Sequence, residues 1–196
     1  MPCYKPLRGY RSNTKTQTGK RSIVFNPRHG FIDQPQDVPC GQCIGCRLER
    51  SRQWAIRIVH ESQMHEQSYF LTLTYNNEFL PKTGSLQKAD VQLFMKRLRK
   101  KFGKGIRYYY CGEYGEKFHR PHYHLIIFGC EFPDKILWKI ERGNRLWISE
   151  DLNKLWKKGY CSIGMVTFES AAYVARYVTK KITGKQANQH YERKTN

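Results

Sequence analysis

The stretch that most constrains the fold of this chain is Arg120-Pro121-His122-Tyr123-His124-Leu125-Ile126-Ile127-Phe128-Gly129. Pro121 disfavours helix in the residue before it, and the aromatic and branched run that follows, closed by a glycine, predicts a buried strand. Side chains alternate across a strand, so His122 and His124 leave by one face and Tyr123 by the other. Two imidazoles side by side are a ready pair of metal ligands, although paired histidines also serve as plain hydrogen-bonding partners within a sheet.

The surrounding pattern supplies a frame for that strand. A helix is expected from Arg47 to about Met64, where Leu48, Trp54, Ile58 and Val59 recur without Gly or Pro. Tyr69 to Tyr75 is dense in aromatic and branched residues and predicts the first strand of the sheet. From about Lys88 to Phe102 the residues Val91, Phe94, Met95, Leu98 and Phe102 fall at helical spacing, and Gly103 and Gly105 stop the helix. Ile106 to Tyr114 predicts a second strand, joined to the histidine strand as a hairpin through the loop from Gly115 to Pro121. A helix from about Ile148 to Lys157, a strand from Tyr160 to Phe168 and a last helix with Ser170 as its N-cap complete the chain. The order strand, helix, strand, strand, helix, strand is the split βαβ pattern. The expected class is therefore α+β, with an RRM-like or ferredoxin-like antiparallel sheet and an added helix behind it.

Charge narrows the partner. The formal net charge is +19 with 14% aromatic residues, a combination suited to a polyanion such as nucleic acid. Between Met1 and Ile32 there is no acidic residue, while Lys5, Arg8, Arg11, Lys20, Arg21 and Arg28 are basic. Residues 1 to about 39 are expected to be an irregular, solvated arm that contacts phosphates. The polar face of the 88–102 helix carries Lys96, Arg97, Arg99, Lys100 and Lys101, of which Lys96, Arg99 and Lys100 are candidate DNA contacts. No apolar run reaches membrane-spanning length and the start of the chain has no signal-peptide core, so no membrane partner is expected.

There are seven cysteines, and three of them form Cys40-Gly41-Gln42-Cys43-Ile44-Gly45-Cys46. Two overlapping C-x2-C steps, with glycines permitting tight turns, bring thiolates together on one ion. A closed zinc site needs a fourth ligand, for which Cys3 is the first candidate, with His29 and His60 behind it. Three reduced thiols in a loop are the plainer alternative. An odd cysteine count with a tight cluster argues against a secreted disulfide framework.

The last helix, Ala171-Ala172-Tyr173-Val174-Ala175-Arg176-Tyr177-Val178-Thr179-Lys180, places Ala171, Val174, Ala175, Val178 and Ile182 on one face and Tyr173, Tyr177 and Lys180 on another. Tyrosines one turn apart are usually packing residues. Taken with the histidine pair, however, they give the sequence a resemblance to the HUH endonucleases, and more narrowly to the rolling-circle replication initiators of gokushovirus-type microviruses, which are small single-stranded DNA phages. Phe70-Leu71-Thr72-Leu73-Thr74-Tyr75 resembles the family's first motif, Pro121-His122-Tyr123-His124 its metal motif, and the segment from Tyr173 to Lys180 its two-tyrosine motif. The Cys40–Cys46 cluster is similar to a segment near the start of the gokushovirus proteins.

The resemblance implies a metal-dependent endonuclease and strand transferase that nicks and rejoins single-stranded DNA at a phage origin through a 5′-phosphotyrosyl intermediate. It acts in the cytoplasm of the bacterial host, with host helicase and polymerase as candidate partners. Tyr173 and Tyr177 would be the nucleophiles, Lys180 would steady developing charge, and Arg176 would contact the DNA backbone. His122 and His124 would hold Mg2+ or Mn2+. A third ligand is expected on the neighbouring strand, where Glu113 stands first and Glu116 and His119 follow. Zinc, if bound by Cys3, Cys40, Cys43 and Cys46, would be structural and remote from the histidines. The expected organisation is residues 1–65 as arm, cysteine cluster and helix, 66–185 as the endonuclease domain and 186–196 as a tail. Related initiators commonly run on past the catalytic helix, so accessory functions are expected outside this sequence. Two other classes fit the charge: a non-enzymatic RRM-like binder stacking bases on Tyr108, Tyr109 and Tyr110, and a basic DNA-packaging protein.

Overall fold

In the computed structural model, which describes residues 3–141 and 143–179, contacts divide the chain into two units, Met1–Arg50 and Ser51–Asn196. The first unit is not the irregular arm expected. It holds a three-stranded antiparallel sheet of β1 (Leu7–Ser12), β2 (Ile23–Val24) and β3 (Gly30–Val38), in the order β2-β1-β3. The strands escape a pattern search because they have no apolar face: every residue of β3 between its ends is exposed, Pro35 interrupts it, and the register shifts between Tyr10 and Arg11. Helix α1 (Ile44–Gln63) follows, with the division between the units inside it.

The second unit is built on a six-stranded antiparallel sheet. Its elements are β4 (Ser68–Thr74), α2 (Lys88–Phe102), β5 (Arg107–Tyr114), β6 (Pro121–Phe128), β7 (Ile136–Glu141), β8 (Asn144–Ile148), α3 (Glu150–Trp156), β9 (Cys161–Met165) and α4 (Phe168–Thr179), with sheet order β5-β6-β4-β9-β8-β7. The four strands β5-β6-β4-β9, with α2 and α3 as crossovers, have the connectivity of the ferredoxin-like split βαβ sheet. The hairpin β7–β8 is an insertion that the sequence did not reveal. Its apolar residues Ile136, Leu137, Trp138 and Ile140 are exposed, so they lack the one-sided alternation that marks a half-buried strand.

The period-2 alternation sorts each central strand into two layers. Tyr69, Leu71 and Leu73 of β4 and Tyr123, Leu125 and Ile127 of β6 meet Val91, Phe94, Met95 and Leu98 of α2 and Leu152, Leu155 and Trp156 of α3. On the other face, Ile126 and Phe128 pack with Cys111 of β5, Ala55 and Ile58 of α1, and Ala171 and Val174 of α4. With both faces covered, β6 is buried at every residue except the half-buried His122. Helix α2 has the expected ends because its apolar stripe stops at Gly103, which takes φ 111 and donates its N–H to the Arg99 carbonyl. Ser149 caps α3 by accepting from the Leu152 N–H at 3.0 Å. Helix α4 starts earlier than expected. Thr167 is its cap, accepting from the Ser170 N–H at 3.2 Å, while the Ser170 hydroxyl stands three residues in and receives the Thr167 N–H at 2.9 Å.

The end of β4 is pinned from α3. Trp156 Nε1 donates to the Thr74 carbonyl at 2.8 Å, and the chain then passes so close that a Cβ on Gly159 would stand 2.3 Å from that same oxygen and 2.4 Å from the Asn76 nitrogen. Thr74 pairs with His122, so this contact reaches the histidine strand. Gly159→Ala is expected to cost about 1–3 kcal/mol by overpacking. A chain of this size would then lose roughly 2–10 °C in Tm. Thermal unfolding followed by circular dichroism checks it, and an unchanged Tm would contradict the close approach.

Candidate metal and nucleophile site

The sheet register assembles the site. Across the β5–β6 ladder Glu113 pairs with His122, and Cys111 with His124. Across β6–β4, Thr72 pairs with His124. Residues directly opposite share a face, so Glu113, His122 and His124 point together toward α4. Their ligand atoms all lie within 4.8 Å of one another: Glu113 Oε2 is 3.7 Å from His122 Nε2 and 3.4 Å from His124 Nε2. Glu116 and His119, the alternative third ligands, fall outside this group.

Hydrogen bonds orient both rings. His122 Nδ1 is 3.1 Å from the Arg120 carbonyl; a carbonyl only accepts, so Nδ1 carries the proton and Nε2 turns a lone pair toward Glu113. His124 Nδ1 is 3.1 Å from Thr72 Oγ1, and the Phe70 ring stacks on this imidazole at 5.3 Å. Burial, and then the charge of His122, pull the His124 pKa down to about 4, so the ring is neutral near pH 7. Its Nε2 is buried with no hydrogen-bond partner. An orphaned imidazole nitrogen aimed at a carboxylate is costly as it stands and is satisfied by a cation. The residues therefore fit a divalent metal ion. Two imidazole nitrogens and one carboxylate oxygen leave coordination positions open, as a catalytic site requires and a closed structural site does not. Cys111 shares this face but is no competitor, since burial pushes its thiol up to about 12 and keeps it neutral.

Helix α4 brings the phenols to the same place. Tyr173 donates its hydroxyl to Glu113 Oε2 at 2.8 Å, and its ring meets His124 edge-on at 5.2 Å. The Tyr177 ring lies 4.9 Å from that of Tyr173. Burial first, with the neighbouring phenol and the Glu113 carboxylate adding to it, raises the Tyr173 pKa above the ordinary tyrosine value; burial and Glu113 raise that of Tyr177. Both are held as neutral phenols in this arrangement. The helix docks through Ala171, Val174 and Ala175, all fully buried, and Ser51 donates its hydroxyl to the Ala172 carbonyl at 3.3 Å. Arg176 is exposed on α4. Lys180, Ile182 and the tail 186–196 lie outside the described residues.

The basic face of α2 is not part of this constellation. Helix α2 covers the opposite face of the sheet, so Lys96, Arg99 and Lys100 belong to the other layer. Lys96 and Lys100 are exposed there, while Arg99 donates through Nε and Nη2 to the Ile106 carbonyl and sits 5.3 Å over the Tyr108 ring. Two features had no recognised sequence signal. One is the role of Thr72 and the Arg120 carbonyl in setting the imidazoles. The other is a cleft of about 260 Å³ beside His122, lined by Thr74, Gly115, Lys117, Phe118 and Arg120 among others, in which Phe118 is 81% exposed. In the first unit, Cys3, Cys40, Cys43 and Cys46 do converge, forming the other metal-competent group among the described residues.

The chain is similar in sequence to known proteins. The model of the family described as replication-associated protein ORF2/G2P matches residues 68–182, from the start of β4 past α4, and so takes in Glu113, both histidines and both tyrosines. The chain is 44% identical over 153 residues to the replication-associated protein VP4 of Bdellovibrio phage phiMH2K, covering 74% of this chain and 48% of that protein. It is 33% identical over 198 residues to the replication-associated protein ORF2 of Spiroplasma virus 4, covering 93% and 62%. It is 36% identical over 153 residues to the replication-associated protein ORF4 of Chlamydia phage 1, covering 74% and 38%. The chain thus spans 38% to 62% of the length of these curated relatives. No solved structure matches it, and among the described residues no helix is long and apolar enough to cross a membrane. A match over more than half of the chain, centred on the strands and helix that carry the site, makes this protein a member of the replication-associated protein ORF2/G2P family.

Proposed function

We propose that the chain initiates phage DNA replication by cutting and rejoining single-stranded DNA at an origin. The observation that carries this reading is the convergence of Tyr173 on the ligand group, its hydroxyl 2.8 Å from the Glu113 carboxylate and its ring against His124. A binding protein has no use for a nucleophile hydrogen-bonded to a metal-ligand set. An RRM-like binder would instead present aromatics on an open sheet face, whereas here both faces of the sheet are covered by helices.

The reaction is a transesterification. The phenol oxygen of Tyr173 attacks the scissile phosphorus, the new bond joins tyrosine to the 5′ phosphate, and the bond to the 3′ oxygen breaks. The phenol proton leaves as the attack proceeds and the freed 3′ oxygen ends as a hydroxyl, so no water or nucleotide is consumed and the phosphate can be passed on again. Glu113, His122 and His124 would hold a divalent ion, Mg2+ or Mn2+, whose chemistry when bound is to polarise a nonbridging phosphate oxygen. Thr72 and the Arg120 carbonyl keep the imidazole lone pairs aimed inward. Arg176 contacts the DNA backbone, and Lys180 steadies the charge developing on the phenol. Tyr177, one helical turn from Tyr173, provides a second nucleophile, so a strand end held on one phenol can be exchanged while the other cuts the regenerated origin.

Three measurements test this. With a single-stranded origin oligonucleotide and Mn2+, the protein is expected to give a gel-stable covalent adduct; mapped by mass spectrometry, the adduct moves to Tyr177 in Tyr173→Phe, stays on Tyr173 in Tyr177→Phe and vanishes in the double variant. Tight binding without any adduct would identify a non-enzymatic binder instead. Glu113→Ala is expected to slow cleavage at limiting Mn2+ by more than the roughly 10–100-fold that loss of an outer partner costs. Thr72→Val, which removes the hydrogen bond to His124 Nδ1, is expected to weaken Mn2+ affinity by about 10–100-fold while leaving the fold intact.

A further inference from the structure

The 1–50 unit poses a problem of stability. It contains a three-stranded sheet, yet its buried described residues are only Gly9, Ser12 and Gly45. Its large apolar side chains Leu7, Ile23, Phe25, Phe31 and Ile32 are exposed. A unit of this size without a hydrophobic core is too small to offset its conformational entropy and needs a disulfide, a metal or a partner chain. The four cysteines in it are all reduced thiols.

Those thiols sit where a staple would act. Cys3 precedes β1, Cys40 follows β3, Cys43 stands just ahead of α1 and Cys46 lies in its first turn. They therefore join both ends of the small sheet to the start of the helix. All four sulfurs lie within 4.8 Å of one another, and Cys43 Sγ is 3.8 Å from Cys3 Sγ. A disulfide needs about 2.05 Å. The edge of a tetrahedron whose centre is about 2.3 Å from each sulfur is about 3.8 Å, the separation imposed by zinc.

The backbone is arranged around sulfur as an acceptor. The Cys40 N–H donates to Cys3 Sγ at 3.3 Å, the Cys43 N–H to Cys40 Sγ at 3.4 Å and the Cys46 N–H to Cys43 Sγ at 3.5 Å. Amide donors aimed at sulfur favour its charged form, which is the ligand. Gly41 takes φ 74, the left-handed turn that curls Cys43 back toward Cys40. Four thiolates on a divalent ion leave two negative charges in excess. Cations stand at the loop: Arg47 Nε donates to the Gln42 carbonyl at 2.8 Å, and Arg50 Nη2 is 3.4 Å from where a Gly41 Cβ would be.

We propose that Cys3, Cys40, Cys43 and Cys46 bind one zinc ion in a closed tetrahedral site, and that this ion, in place of a hydrophobic core, holds the basic N-terminal unit folded. All four positions are filled by protein, so the site is structural and has no part in strand cleavage. Soft thiolates select zinc against Mg2+ and Mn2+, which keeps it chemically distinct from the imidazole and carboxylate group.

The full chain, purified without chelators, is expected to contain about one zinc per chain and no iron by elemental analysis. Cys3→Ser and Cys43→Ser should each lose it; His122→Ala and Glu113→Ala should keep it. Because a cysteine variant can fail to fold, the unmodified chain supplies a second readout. Stripping the metal with a chelator should raise the alkylation rate of Cys3, Cys40, Cys43 and Cys46 by at least about tenfold, with the buried Cys111, Cys130 and Cys161 unchanged. It should also open residues 3–50 to protease while the sheet of the second unit resists. Absence of zinc, iron in its place, zinc retained by both cysteine variants, or equal alkylation with and without chelator would each overturn the proposal.

Discussion

The pairing of β6 with its two neighbours is the constraint on which the candidate site depends. His122 faces Glu113 on one side and Thr74 on the other, and His124 faces Cys111 and Thr72. A slip of one residue would invert every side chain of β6, sending both imidazoles into the layer of Phe94 and Trp156 and exchanging them for Tyr123 and Leu125. Burial of a polar ring there without partners, together with the loss of well-packed apolar contacts, would cost several kcal/mol. The geometry of three polar groups is thus set by hydrophobic residues in the opposite layer of the sheet.

Within that frame the site breaks the ordinary rule for interiors. Buried polar atoms in folded proteins find partners, yet His124 Nε2 does not. Ile126, Phe128, Val174 and Ala171 form an apolar cluster in the same layer. Local disagreement with good packing, held in place by strong ladders, is the physical mark of a group kept for chemistry. The two metal-competent groups among the described residues are also sorted by hardness, sulfur in residues 3–46 and nitrogen with oxygen in residues 113–124. Each selects a different class of cation.

The candidate site is legible in the sequence where periodicity is clean. Pro121 to Phe128 announces itself as a strand, the strict alternation gives the shared face of His122 and His124, and the short connection to Tyr114 makes the hairpin that brings Glu113 opposite. Helix α2 was equally legible, since amphipathic spacing ends at a glycine. The first sheet and the β7–β8 hairpin are not, because β3 and β7 put apolar and polar residues alike into solvent, and periodicity reports burial rather than strands as such. Helix α4 starts three residues before the position its sequence suggests, since Thr167 and Ser170 can each cap and only their reciprocal bonds say which does. Nothing in a linear pattern says which face of a sheet a helix will cover, so the separation of Lys96 and Lys100 from the histidines had to come from the fold.

The candidate ligands and the phenols are anchored by different kinds of force. Glu113, His122 and His124 stand on adjacent strands joined by backbone ladders, which fix the spacing of their Cα atoms. Helix α4 meets the sheet through side chains, with Val174 flanked by the smallest chiral residue at Ala171 and Ala175, all three with no exposed surface. Alanine here acts as a spacer: one methyl group on each turn sets how far the phenol oxygens stand from the carboxylate. Any larger side chain at either position would lift the helix and lengthen the reach of Tyr173. Divergence among such proteins can therefore retune the placement of the phenols through this seam alone, without disturbing Glu113, His122 or His124.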